Sequence, residues 1–137
     1  MDQYLGLKYK LKSSENFEEY MSFIEIGLIS RKTAISVSPV CELTRDDDGV
    51  YTYTMATTFK TMKFSFKLGE EFVEERADGV KVKSVMTLDG DKLIQVQIED
   101  NGRKSTHVRH FTPELMTVTT TAEGWDGTCV RIYEVVA

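Results

Sequence analysis

The stretch Tyr9-Lys10-Leu11-Lys12-Ser13-Ser14-Glu15-Asn16-Phe17-Glu18-Glu19-Tyr20-Met21 changes its period midway. Its first part belongs to a run, Tyr4 to Lys12, that alternates well enough for a strand. Ser13 to Asn16 form a capping cluster, with Ser14 or Asn16 suited to cap a helix. Phe17, Tyr20, Met21 and Ile24 then recur at helical spacing, and Gly27 is a natural stop. A second short helix is expected over Leu28 to Val37, ended by Ser38-Pro39. From Cys41 onward the period returns to two and stays there.

Outward from that switch, turn signals arrive at short, regular intervals. They are Asp46–Gly49, Leu68-Gly69, Ala77-Asp78-Gly79, Asp89-Gly90, Asp100–Gly102, Thr112–Glu114 and Gly124–Gly127. Threonine-, valine- and aromatic-rich runs of strand length lie between them. The pattern predicts about ten strands in a meander of hairpins, hence an up-and-down barrel or a sandwich. One helical insert after the first strand is odd for a sandwich and apt as a lid.

At 137 residues the chain is long enough for one domain with a single core. Its 41% apolar and 28% charged composition is that of a soluble globular protein. A net charge of −5 gives no basic footprint for nucleic acid. No apolar run reaches transmembrane length, and Met1-Asp2-Gln3-Tyr4 lacks the basic and apolar regions of a signal peptide, so a cytoplasmic setting is expected. Cys41 and Cys129 have no metal-ligand spacing and are expected as reduced thiols.

Strand faces pose the harder question. Arg131 and Tyr133 are two apart and share a face with Cys129 and Val135; Arg109 shares one with Ser105, His107 and Phe111. Lys92 to Glu99 offers Ile94, Val96 and Ile98 on one side and Leu93, Gln95 and Gln97 on the other. Periodicity alone favours the aliphatic sides inward and both arginines in solvent, as on a surface interaction module. A barrel of about ten strands reverses this, because its interior is too wide for side chains to fill and holds a small ligand. Two arginines facing such an interior ask for an anionic head group, since an unpartnered buried charge costs too much. A guanidinium fork beside a phenol suits one carboxylate.

Tyr9-Lys10-Leu11 followed by Asn16-Phe17-Glu18-Glu19-Tyr20-Met21 resembles the N-terminal signature of the cytosolic fatty-acid-binding proteins, the intracellular lipid-binding family. Further matches are Thr58–Thr61, Phe66–Phe72, Val82-Lys83-Ser84, Thr87–Gly90 and the C-terminal Arg131-Ile132-Tyr133, so the resemblance covers essentially the whole chain. It looks nearest to the heart/muscle-type branch and its invertebrate members. The resemblance implies an all-β fold: a ten-stranded antiparallel up-and-down β-barrel (β-clam) with a helix-turn-helix lid after the first strand, enclosing one long-chain fatty acid. It implies that Arg109, Arg131 and Tyr133 hold the carboxylate. It carries pocket roles to Phe17, Tyr20 and Met21 on the first helix, Phe59 at the portal, and Asp78, Gln97 and Val118. Departures are Tyr9 where many vertebrate members have tryptophan, Gly6 set one residue farther from that aromatic, Val40-Cys41 in place of a threonine-rich pair, and the Gly124–Gly127 turn with the only tryptophan.

These readings make the chain a non-catalytic, monomeric cytoplasmic carrier without cofactor or metal, with a retinoic acid carrier of the same fold as the alternative. An enzyme of lipid metabolism would need a nucleophile–base pair, and neither cysteine has a histidine in a recognisable motif. His107 and His110 read as bystanders, and Asp46 to Asp48 as a solvated turn. Arg31 and Lys32 on the second helix are candidates for transient contact with anionic membrane surfaces. Ligand admission is expected where the lid and the turns around Phe59 and Asp78 move.

Overall fold

Strand structure starts later than the alternation predicts, and Gly6 is the reason. The structure, a computed structural model, describes residues 1–76 and 78–136. Asp2–Tyr4 form a single 3-10 turn, and Gly6 follows at φ 81°, a left-handed conformation that glycine adopts without steric cost. The first strand, β1, therefore runs Lys8–Glu15 and absorbs Ser13, Ser14 and Glu15, which the sequence pattern assigns to a helix cap. A register shift between Leu11 and Ser13 brings Ser14 opposite Arg131.

Helix α1 spans Phe17–Phe23 and α2 spans Leu28–Ser36. Asn16 occupies the N-cap position of α1 but caps nothing with its side chain. It sits at φ 61° and donates through Nδ2 to the Thr128 carbonyl at 3.0 Å. The reversal after α1 falls on Glu25, at φ 69°, and not on Gly27, which is extended and opens α2. Helix α1 buries Tyr20 and Met21, whereas α2 buries no residue.

The remaining strands are β2 (Val40–Arg45), β3 (Tyr51–Ala56), β4 (Thr61–Phe66), β5 (Phe72–Glu75), β6 (Lys81–Asp89), β7 (Lys92–Ile98), β8 (Lys104–Phe111), β9 (Leu115–Ala122) and β10 (Cys129–Val135). Their hydrogen-bonded order is β4-β3-β2-β1-β10-β9-β8-β7-β6-β5, with every neighbouring pair antiparallel. This is the expected ten-stranded up-and-down barrel with its helical insert. Its two end strands meet through side chains: Phe72 on β5 stacks on Phe64 and Phe66 of β4 at 5.6 and 5.7 Å. The turn between β3 and β4 carries no glycine and is organised by the Thr57 hydroxyl, which accepts from the Phe59 and Lys60 amides at 3.3 and 3.1 Å. Ala77, the first residue of the expected 77–79 turn, lies outside the described residues.

Two apolar groups close the barrel. Tyr9, Leu43, Met86, Leu93, Phe111 and Met116 pack at one end, with Phe111 edge-on to Tyr9 at 5.7 Å. Tyr20, Met21, Ile24, Ile26, Ala122 and Cys129 pack beneath the helices, with Phe23 and Trp125 against them. Between these ends the inner wall mixes polar side chains, among them Glu74, Gln95, Arg109 and Arg131, with apolar ones such as Tyr53 and Val118. On β7 it is Leu93, Gln95 and Gln97 that face inward, while the aliphatic side, Ile94, Val96 and Ile98, is only half-buried on the outside. Among the described residues no helix is long and apolar enough to cross a membrane.

Candidate functional site

Three adjacent strands set the site. Arg109 on β8 and Arg131 on β10 are both in register with Val118 on β9, so their backbones stand about 10 Å apart, two interstrand spacings. Each arginine is only 7% exposed, and both side chains turn inward. Arg131 is well partnered: Nε donates to the Tyr133 hydroxyl at 3.3 Å, Nη1 donates to Ser14 Oγ at 3.2 Å, and the Phe17 ring covers the guanidinium at 3.7 Å. Arg109 lies over the Tyr53 ring at 4.5 Å, yet its Nε and Nη1 are buried with no hydrogen-bond partner among the described residues.

The neighbouring thiol and phenols supply no counter-charge. Burial pushes the Cys41 thiol up, and does the same to the phenols of Tyr53 and Tyr133, so all three stay protonated beside the arginines. An unpartnered guanidinium in such surroundings is costly, and its planar paired donors match a carboxylate. Chemically, the arrangement can pair with one anionic group.

A second set of polar side chains continues the same wall and satisfies itself. Glu74 Oε1 accepts from Ser84 Oγ at 2.7 Å, from Gln97 Nε2 at 2.6 Å, and from Gln95 Nε2. Gln97 Oε1 lies 2.7 Å from His107 Nε2, and His107 Nδ1 lies 2.7 Å from Thr120 Oγ1. A neutral imidazole fits both contacts, donating through Nε2 and accepting from the threonine hydroxyl. Burial first, and then the Arg109 charge, bring His107 down to about 3. His107 is thus a structural member of the inner wall and no bystander, while His110 is exposed on the opposite face.

Other expected site residues fall as follows. Tyr20 stands edge-on to His107 at 5.9 Å, its buried hydroxyl pushed up to about 12 by burial. Met21 is buried in the cluster beneath the helices. Gln97 joins the Glu74–His107 chain. Phe59 projects from the β3–β4 turn with 86% of its surface exposed, apart from the buried groups. Asp78 is engaged in an ion pair: its carboxylate accepts from Arg76 Nε and Nη2 at 3.1 and 2.9 Å. Burial raises Asp78, but the Arg76 fork outweighs this and holds it below the usual carboxylate range. Arg76 also reaches Glu99 at 3.3 Å, and Glu99 accepts from Arg103, whose Nη1 donates to the Phe23 carbonyl at 3.2 Å. This chain of charges fastens the end of α1 to two turns at the barrel mouth. Arg31 donates to the Ile26 carbonyl at 2.6 Å, which leaves Lys32 as the exposed charge of that pair.

Ser14, Cys41, Tyr53, Glu74, Gln95 and His107 escape the sequence reading as site residues. Inner-face parity could have found most of them, since Glu74 alternates with Phe72, Tyr53 with Tyr51, and His107 with Arg109. A cleft of about 350 Å³ borders the site from outside, lined by Leu11, Ser14, Asn16, Phe17, Glu18, Glu19, Ile35 and Arg131.

Comparison with known proteins agrees with this architecture. The profile of the lipocalin / cytosolic fatty-acid binding protein family matches residues 5–134. The muscle fatty acid-binding protein of Schistocerca gregaria is 43% identical over 133 residues, 96% of each chain. The structure of a fatty acid-binding protein from Drosophila melanogaster brain tissue superposes with a TM-score of 0.87 at 47% identity, covering 96% of this chain and 98% of that one. A Schistosoma mansoni fatty acid binding protein in complex with arachidonic acid superposes at 0.91 with 33% identity, covering 100% of this chain and 98% of the other. Matched along nearly its whole length by profile, sequence and fold, the chain belongs to the lipocalin / cytosolic fatty-acid binding protein family.

Proposed function

We propose that this protein is a non-catalytic carrier that reversibly binds one long-chain fatty acid inside the barrel, its carboxylate held by Arg109, Arg131 and Tyr133. The observation that carries the reading is Arg109: a buried guanidinium with two unpartnered donor atoms, one strand spacing from Val118 and two from Arg131. A carboxylate supplies both missing acceptors. The acyl chain supplies most of the affinity, at about 0.8 kcal/mol per buried methylene. Phe17, Tyr20, Met21 and Val118 are the apolar contacts in this reading, with Gln97 in the wall beside them and Phe59 and Asp78 at the mouth. Fatty acid binding by the named relatives supports it. The thiols fit a carrier, because burial holds Cys41 up and lifts Cys129 to about 11, leaving neither of them a ready nucleophile. Transient contact with anionic membranes, through Lys32, belongs to the same reading.

The test is oleate titration of Arg131→Gln and Arg109→Gln. Loss of a charge-assisted pair inside the barrel should weaken binding by about 2–4 kcal/mol with the fold retained. Unchanged affinity in both variants, with intact melting, refutes the assignment. Retinoic acid also presents a carboxylate, so displacement of oleate by equimolar retinoic acid would move the reading to a retinoid carrier.

A further inference from the structure

Helix α1 turns a polar atom toward the barrel that nothing there satisfies. Tyr20 is only 4% exposed, its ring edge-on to His107 of the inner wall and tilted against Trp125 at 5.8 Å. Its hydroxyl is buried without a hydrogen-bond partner among the described residues. Ser105, buried on β8 and in register with Gln97 and Ala122, stands beside it. The serine eases the rise that burial imposes on the phenol, yet closes no bond of good geometry with it.

The polar groups around Tyr20 are engaged elsewhere. His107 bonds Gln97 and Thr120, and Arg76 is paired with Asp78 and Glu99. Phenylalanine would fill the same place against Met21, Ile24 and Trp125 with no orphaned hydroxyl. A buried O–H without an acceptor costs folding free energy, which an acceptor brought by a ligand returns.

Position narrows the class of that acceptor. Ser105 and Arg109 lie four residues apart on β8, about 13 Å, a distance that about ten extended methylenes span. With a carboxylate on Arg109, the atoms of an acyl chain that pass Tyr20 are those near its middle. A second carboxylate finds no open cation there, because Arg76 is already paired. A neutral oxygen fits: it accepts from the phenol, which burial keeps protonated, and an alcohol also donates to the serine hydroxyl.

Resting on the carrier reading, we propose that Tyr20 and Ser105 form a subsite for a hydroxyl on the acyl chain at about C9–C12, so that the barrel prefers mid-chain hydroxy fatty acids to their unsubstituted parents.

Displacement of a fluorescent C18 polyene carboxylic acid by stearate and by its 10-, 12- and 17-hydroxy derivatives tests this. In wild type the 10- or 12-hydroxy acid should bind about fivefold tighter than stearate, the size of one hydrogen bond. The 17-hydroxy acid, whose oxygen lies beyond the pair, should bind more weakly than stearate. Tyr20→Phe should bring the ratio of mid-chain hydroxy acid to stearate affinity below one. Ser105→Ala should lower that ratio at least twofold with stearate affinity unchanged, and it decides the matter should Tyr20→Phe fail to fold. Without ligand, Tyr20→Phe should melt no lower than wild type. Weaker binding of all three hydroxy acids than of stearate in wild type would overturn the inference, as would a wild-type ratio in Tyr20→Phe. A fall of several degrees in the ligand-free melting of Tyr20→Phe would overturn it too, since the hydroxyl would then have a partner within the protein. If wild type binds neither stearate nor the probe, the carrier reading itself falls, and this inference with it.

Discussion

Acidification should reveal His107. In the folded barrel this imidazole is brought down to about 3 from an ordinary 6.5, by burial first and then by Arg109. A depressed histidine places its effect on the acid side. Above pH 6.5 both folded and unfolded chains carry it neutral, and it costs nothing. Below that, the unfolded chain takes up a proton that the folded chain refuses, so stability falls as the pH drops toward 3. At pH 5 the unfolded histidine is about 1.5 pH units past its midpoint, which amounts to about 2 kcal/mol. This is an upper bound, because His107 keeps a partly accessible edge inside the barrel and water there moderates the burial penalty. Urea melts at pH 7 and pH 5 should therefore differ by up to about 2 kcal/mol more in wild type than in His107→Gln. Glutamine offers an amide donor and acceptor to Thr120 and Gln97 but has no titrating group. Equal losses in the two proteins over that interval would refute the reasoning.

Phe111, 1% exposed and packed on Tyr4 and Tyr9, should cost about 3–5 kcal/mol when cut to alanine, read by urea melts, while the arginines keep their geometry. Arg103→Ala removes the fastening between Glu99 and the Phe23 carbonyl and should cost about 1–2 kcal/mol, with faster hydrogen exchange confined to α1. Glu99 is held below the usual carboxylate range, by the Arg103 hydrogen bond foremost, so this contribution is present above the unfolded carboxylate's titration and fades as the pH falls through the lower folded one; the Arg103→Ala melts should converge with wild type there. Arg109→Leu should raise the stability of the ligand-free protein by about 1–3 kcal/mol while abolishing high-affinity oleate binding, measured by paired melts and titrations.

The hairpin ladder is legible because its turns are written in residues with a mechanism. Asp46 accepts from the Asp48 and Val50 amides at 2.9 Å, and the Asp89-Gly90 and Asp100–Gly102 signals mark reversals where strands end. Which face of each strand points inward is less legible. Alternation reports only that two faces differ, and it ranks the aliphatic one as buried. In β7 that ranking is inverted: Ile94 and Val96 lie outside and Gln95 is fully enclosed, because its amide finds partners, Glu74 and Ser84, on the inner wall. The same blindness hides Ser14. Its neighbours Ser13 and Asn16 look like a helix cap, and only the pairing of β1 with β10 brings its hydroxyl to Arg131. Long-range register, absent from any local pattern, decides both cases.

The polar groups of the interior divide by whether they are satisfied. Glu74, Ser84, Gln95, Gln97, His107 and Thr120 bond one another, so their burial costs little and their mutual contacts hold the wall of β5 to β9 in one shape. Such a network gains nothing from a ligand. Arg109 is the contrary case, since its Nε and Nη1 find no acceptor although the Glu74 carboxylate belongs to the same inner wall. Glu74 is already engaged with Gln95, Gln97 and Ser84, and His107 lies between the two along β8 and β7. Were Glu74 free to turn toward Arg109, an internal ion pair would fill the position proposed for the head group and bar a carboxylate from it. The self-satisfied wall thus does two things at once: it shapes the interior, and it holds the Glu74 carboxylate in other contacts, so that Arg109 keeps the two open donors on which the proposed carboxylate clamp rests.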